Sequence, residues 1–261
     1  MITDVPTGKV LTVKGPIDPN DLGTTLMHEH LFMALLKLVA PNDNTPASQV
    51  ARWEQELTLD NLHMARTRKP IRDNWILSDE KLATEEAMEF RHAGGNAIVE
   101  VTNIGFQRDP VGLLRVSNAT GLNIVMGGGW YLKSYHPANI DELTVKDMAD
   151  EIVRDITVGV GDTGIRSGII GEVGIQGDPI EPNEVKSIRE SVRASLATGA
   201  AISLHLGGRG QEKLETLAIM DDEGVDRSRV IYGHCDSSAG DLEAVNNDRR
   251  PTSSTAQKEQ R

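Results

Sequence analysis

The sequence carries a His-x-His pair in Thr25-Leu26-Met27-His28-Glu29-His30, at the end of an apolar run. Strand alternation puts His28 and His30 on one face, where both imidazoles can reach one metal ion, and turns Glu29 the other way. Two nearby histidines are also ordinary polar residues at a strand end, so the pair alone decides nothing. Two later apolar runs finish the same way, Ile202-Ser203-Leu204-His205 and Val230-Ile231-Tyr232-Gly233-His234, so four of the seven histidines close strands. In a parallel barrel those C-terminal ends converge on one face, where the active sites of that fold are built. Glu172, in Gly168-Ile169-Ile170-Gly171-Glu172-Val173-Gly174, adds a carboxylate near the end of another apolar run. A buried charge is costly there unless it pairs or binds metal, and an anionic oxygen can bridge two cations. A surface or salt-bridged glutamate is the plainer alternative, and the flanking glycines and apolar neighbours argue against it. Glu100 has two readings, support for a histidine from behind or an ion pair within the barrel layers.

The other histidines suggest less. His63 and His92 lie in helical stretches and face solvent or cap, while His136 sits in a loop between Tyr135 and Pro137. Cys235, directly after His234, alternates to the opposite face and reads as a small buried residue. No Gly-x-Ser-x-Gly elbow or phosphate-binding loop is present, and Gly127-Gly128-Gly129 lacks the spacing of a dinucleotide fingerprint.

The elements that must carry these residues alternate between short apolar runs and longer amphipathic ones, the pattern of strand-then-helix units feeding a parallel sheet. Strands are predicted over residues 24–30, 96–102, 123–129, 167–175, 201–206 and 230–235. Crossover helices are predicted over 79–92, 145–157, 181–198 and 211–223, two of them closed by Gly94 and Gly199. Residues 34–76 are irregular and read as extra helices packed outside the first strand. Residues 245–261 hold almost nothing apolar and read as a disordered polar tail, leaving residues 1–244 as one incomplete barrel domain.

Composition narrows the function classes. The chain has 261 residues, enough for one α/β barrel, with a net charge of −12 and no long basic stripe, so nucleic acid is not an expected partner. A single cysteine excludes an intrachain disulfide. Met1 to Lys14 lacks a secretory pattern and no run of about eighteen apolar residues occurs, which predicts a cytoplasmic protein outside the membrane.

Gly15-Pro16-Ile17, Leu22 to Leu31, Tyr131, Tyr135-His136-Pro137, Gly171-Glu172-Val173-Gly174, His205 and His234 together resemble the phosphotriesterase family of the amidohydrolase superfamily, from about Gly8 to Glu243. The resemblance implies a TIM-type (β/α)8 barrel, here with about six of eight strands, and a centre of two divalent metal ions, usually zinc. It implies His28 and His30 on one ion, His205 and His234 on the other, and Glu172 as the bridge. A glutamate there resembles the phosphotriesterase-related branch; the best-known branch has a carboxylated lysine. It further implies metal-activated hydroxide attacking a small-molecule ester, lactone or phosphotriester, Tyr131 in the substrate pocket, and a homodimer. The family's catalytic aspartate, from the eighth strand, has no counterpart, and the expectation is a chain that stops before closure and hydrolyses weakly. The competing readings are a catalytically impaired fragment and a metal-dependent deoxyribonuclease of a related barrel kind.

Overall fold

The computed structural model describes residues 7–67, 69–177, 179–206 and 211–234. The chain opens with an antiparallel hairpin, β1 (Val10–Thr12) and β2 (Gly15–Ile17), and then enters the barrel with β3 (Thr25–Glu29). The excursion that follows holds β4 (Met33–Ala34), α1 (Ala47–Trp53), α2 (Leu62–Arg66) and β5 (Ile76–Leu77), with β4 and β5 antiparallel. Strand–helix units then repeat: α3 (Glu80–His92), β6 (Ala97–Glu100), α4 (Pro110–Thr120), β7 (Asn123–Gly128), α5 (Val145–Thr157), β8 (Ile169–Ile175), α6 (Pro182–Thr198), β9 (Ile202–Leu206), α7 (Gln211–Asp222) and β10 (Val230–Tyr232).

Six of these strands form one parallel sheet in the order β3-β6-β7-β8-β9-β10, which is also their order in the chain. That progression is the winding of a (β/α) barrel, and the sheet curls into an incomplete one, as the sequence predicts. Residues 235–261, including Cys235 and the predicted tail, lie outside the described residues.

Alternation along each strand sorts side chains between two cores. Ile98, Ile124 and Met126 pack outward against Ala87 of α3 and Leu113 and Val116 of α4. Their neighbours Val99, Val125 and Ile169 point inward. The largest cluster joins the outer faces of β8 and β9 to Met148, Ile152 and Ile156 of α5 and Ile188 and Val192 of α6. Each such burial contributes roughly 1.5–3 kcal/mol. Thr144 and Asp147 form a reciprocal capping box at the start of α5, worth about 1 kcal/mol. On the inner face of the two outermost strands, Met27 is 53% and Ile231 38% exposed. With Thr25, Val99, Val125 and Ile169 they line an open apolar cavity of about 570 Å³ beneath the site.

The predicted strands are present but shorter. The helix over 145–157 has its predicted bounds, and Gly199 caps α6 while Gly94 follows the α3 cap Ala93. The hairpin β1–β2 and helix α4 are additions to the sequence reading. The hairpin packs against the base of the barrel: Val13 donates its backbone N–H to the Ile124 carbonyl, and Leu11 joins the main core.

Candidate metal centre

Four of the six strand ends deliver the groups. His28 comes from β3 with His30 just beyond it, Glu172 from β8, His205 from β9, and His234 from two residues past β10. The carboxylate is placed by a local departure from the regular ladder, since the β8–β9 register shifts between Ile170 and Val173. Gly171 makes the departure with φ +138°, and a Cβ there would stand 2.4 Å from the Ser203 carbonyl oxygen. On the other side, a Cβ on Gly127 would stand 2.2 Å from the Gly171 carbonyl oxygen. Only glycine fits at both positions. The Glu172 backbone is held in turn by Val101, whose carbonyl accepts its N–H at 2.9 Å, and by Asn103, whose amide donates to its carbonyl.

Glu172 is 1% exposed, and its two oxygens divide the histidines. Oε2 lies 2.8 Å from His28 Nε2 and 2.8 Å from His205 Nδ1, while Oε1 faces His30 Nε2 at 3.4 Å. His234 Nε2 lies 3.0 Å from His205 Nδ1. Its ring stands edge-on to His28 with centroids 5.1 Å apart. His28 thus shares its oxygen with His205, whereas the resemblance groups it with His30. His234 has φ +54°, a left-handed backbone rare for a side-chain-bearing residue, and this turns its ring toward the group. Burial raises the pKa of Glu172, but the hydrogen bonds of His205, His28 and His30 outweigh it and hold the carboxyl far below its usual range. Burial disfavours charge on His30, and the Glu172, Glu100 and Glu29 carboxylates outweigh it, so its pKa is raised.

Tyr131, from the loop after β7, is 3% exposed and points its hydroxyl at His205 Nε2, 3.4 Å away. Its ring stacks on Phe106 at 4.3 Å between centroids, and Phe106 in turn meets the edge of His30. These aromatics wall one side of the centre. Burial raises the phenol's pKa, as do Glu172 and Tyr135, so it is neutral at physiological pH. His136 is buried beneath this wall with Nε2 2.9 Å from the Tyr131 carbonyl oxygen. His63 and His92 are exposed, as the sequence predicts.

One ligand atom each from His28, Glu172, His205 and His234 lies within 4.8 Å of the other three. Three imidazoles and a carboxylate are the donor set of zinc-type divalent ions. His205 Nδ1 cannot serve both Glu172 and His234 as the donor of a single proton. A cation among these atoms would remove that conflict by accepting a lone pair from each, so the residues fit a metal. The phosphotriesterase family model matches residues 8–247. The chain belongs to the phosphotriesterase family.

Members of this hydrolytic family resemble the chain over most of its length. An N-acetyltaurine hydrolase of Dictyostelium discoideum is 36% identical over 255 residues, covering 90% of this chain and 68% of that protein. One of Xenopus tropicalis is 33% identical, covering 90% and 66%, and a phosphotriesterase-related protein of Nematostella vectensis is 34% identical, covering 88% and 66%. Among solved structures, a resiniferatoxin-binding protein from Rhodobacter sphaeroides superposes with a TM-score of 0.87 at 33% identity, over 94% of this chain and 68% of that one. The phosphotriesterase homology protein from Escherichia coli, complexed with phosphate in its active site, gives 0.68 at 27% identity, over 87% and 68%. The chain thus spans about two thirds of the length of these family members.

The site contains residues that sequence reasoning passed over. Thr102 and Asn103 are fully buried beside the histidines, and Phe106 is 1% exposed. The alternation Glu100-Val101-Thr102 is the signal that could have found one of them, since it puts two polar side chains on one face at the end of an otherwise apolar run.

Proposed function

We propose that this chain is a metal-dependent hydrolase of small molecules, its barrel spanning residues 1–244, in which His28, His30, Glu172, His205 and His234 hold two divalent cations, zinc by preference. The observation that carries the reading is the convergence of His28 Nε2 and His205 Nδ1 on a single oxygen of Glu172, each at 2.8 Å. When bound, such cations supply an acidified water and a Lewis acid for the oxygen that gains charge. The protein's own part is to keep Glu172 ionised and shielded, to present the imidazoles as neutral donors, and to exclude bulk water on one side with Phe106 and Tyr131.

The substrate class we favour is a small acyl compound, an amide, ester or lactone, ahead of a phosphotriester. The names of the N-acetyltaurine hydrolases support this, because hydrolysis of an N-acyl amide calls for the same attack on carbon as an ester or lactone. The single Cys235 suits a reducing cytoplasm, and no described helix is long and apolar enough to cross a membrane. Family resemblance favours a homodimer.

The test is metal content per folded chain by elemental analysis after desalting, for the wild type beside a His205→Ala, His234→Ala variant. About two ions in the wild type and about one in the variant support the assignment. Equal metal in both rejects it. Substrate choice is read from release of taurine from N-acetyltaurine against turnover of an aryl ester, a lactone and a phosphotriester.

A further inference from the structure

The carboxyl of Glu100 and the hydroxyl of Thr102 are both fully buried, two residues apart near the end of β6, beside the end of β3 that carries His30. Glu100 Oε1 accepts two hydrogen bonds, from the Leu31 backbone N–H at 3.1 Å and from Thr102 Oγ1 at 2.6 Å. Thr102 Oγ1 also lies 2.8 Å from His30 Nδ1. The far nitrogen of the same ring, Nε2, faces Glu172.

The direction of these bonds follows from the inventory of protons. An ionised carboxylate has no proton to give, so Glu100 Oε1 accepts from both the Leu31 N–H and the Thr102 hydroxyl. The hydroxyl of Thr102 has one hydrogen, and at 2.6 Å that hydrogen is committed to Oε1. What Thr102 offers His30 is therefore a lone pair, and the nitrogen that meets it must be N–H. A neutral imidazole carries one proton, so Nε2 is left with its lone pair directed at the carboxylate side of the centre.

We propose that Thr102 and Glu100 are positioning residues that lock His30 in its Nδ1–H tautomer and so present Nε2 to a divalent cation. The inference rests on the reading of His30 as a metal ligand for its purpose, but not for the tautomer itself. Burial pushes the Glu100 carboxyl up to about 7, and the lock belongs to the ionised form, whose oxygens can only accept. A strand that supplies no ligand of its own thus sets the chemistry of the neighbouring strand's ligand. A hydroxyl is needed at position 102; bulk alone does not suffice.

The experiment uses the full chain labelled with nitrogen-15 in its histidines, stripped of metal and held at alkaline pH where the ring is neutral, with His30 assigned by comparison with His30→Gln. Long-range proton–nitrogen correlation spectra should show His30 protonated at Nδ1 in the wild type and in Thr102→Ser. Thr102→Val should lose that pattern. In parallel, cobalt titration should show Thr102→Val binding about 10–100-fold more weakly, and Thr102→Ser within a few-fold of the wild type. A wild-type ring protonated at Nε2, or Thr102→Val keeping both the Nδ1–H pattern and wild-type cobalt affinity, overturns the proposal. Should Thr102→Val fail to fold, Thr102→Ser alone decides: loss of the Nδ1–H pattern or of cobalt affinity despite a retained hydroxyl overturns it. A wild type that shows the Nδ1–H tautomer yet takes up no cobalt refutes the metal reading and leaves the tautomer lock standing.

Discussion

The Tyr131 hydroxyl meets His205 at Nε2, 3.4 Å away, on the opposite side of the ring from the Nδ1 that approaches Glu172. The phenol therefore addresses a proposed ligand from behind. Tyr131→Phe removes one hydrogen-bonding atom and keeps the ring stacked on Phe106. The expected result is about tenfold weaker zinc or cobalt binding, with a thermal midpoint within a few degrees of the wild type. Isothermal titration and calorimetry on the same sample check both. An unchanged metal affinity with a higher KM would move Tyr131 to the substrate side, where the family resemblance puts it.

Gly171 tests the packing that presents the carboxylate. Gly171→Ala drives a methyl group to 2.4 Å from a backbone oxygen in a conformation that side-chain-bearing residues avoid, and should cost more than about 3 kcal/mol. Gly161→Ala is the control. Its φ is also positive, +54°, but nothing lies within 4 Å of the added carbon, so the expected loss is about 1 kcal/mol. Urea unfolding of the two variants should separate them clearly, and equal losses would mean that φ alone, not contact, governs Gly171.

Arg108 and Asp155 form an ion pair at 2.8 Å with side chains 8% and 4% exposed, joining the loop after β6 to α5. Arg108 also donates to the Gly127 carbonyl. Asp155→Ala leaves the guanidinium buried without its carboxylate and should cost about 3–5 kcal/mol. The double variant Arg108→Met, Asp155→Ala should lose less than the single, because the stranded charge is gone. A double variant less stable than the single would count the pair as a net source of stability.

Glu190 gives the expected pH dependence away from the metal centre. It is fully buried on α6 among Ser187, Ser191 and, across the helix interface, Glu151, and burial raises its pKa well above the ordinary 4.5. A carboxyl raised in the fold is most favourable when protonated. Its contribution to stability is therefore full below the unfolded value and is lost as pH rises toward the folded one. Glu190→Gln should stabilise the protein by about 1–2 kcal/mol at pH near 8 and by nothing at pH near 4. Thermal melts across that range would contradict the assignment if both proteins showed the same slope.

The parts of the fold and site legible in the sequence are those where one-dimensional pattern and chemistry coincide. His28, His205 and His234 each end an apolar run, so strand ends and polar groups were found together, and β8 was visible because every residue of it is buried. Helix α4 was not, since Pro110-Val111-Gly112 and Val116-Ser117-Asn118-Ala119-Thr120 are poor helix formers. It forms because Asp109 caps it through the Gly112 N–H and Leu113 and Val116 bury fully. His136 read as a loop residue because its place under Tyr131 is a tertiary fact that no local pattern records. Thr102 was missed for a related reason: a threonine on a strand is ordinary until its one proton is counted.

The rings of His28 and His234 touch across the mouth of the barrel, yet the residues stand 206 positions apart in the chain. Because the sheet is laid down in chain order, this contact waits on every intervening strand, and the loop it closes is nearly the length of the described molecule. High contact order of this kind slows folding. During synthesis His28 would leave the ribosome 206 residues ahead of His234 and stay without it over that interval. Assembly of the full histidine group therefore follows the laying down of all six strands, and capture of the proposed metal by all of it would report that the sheet has formed.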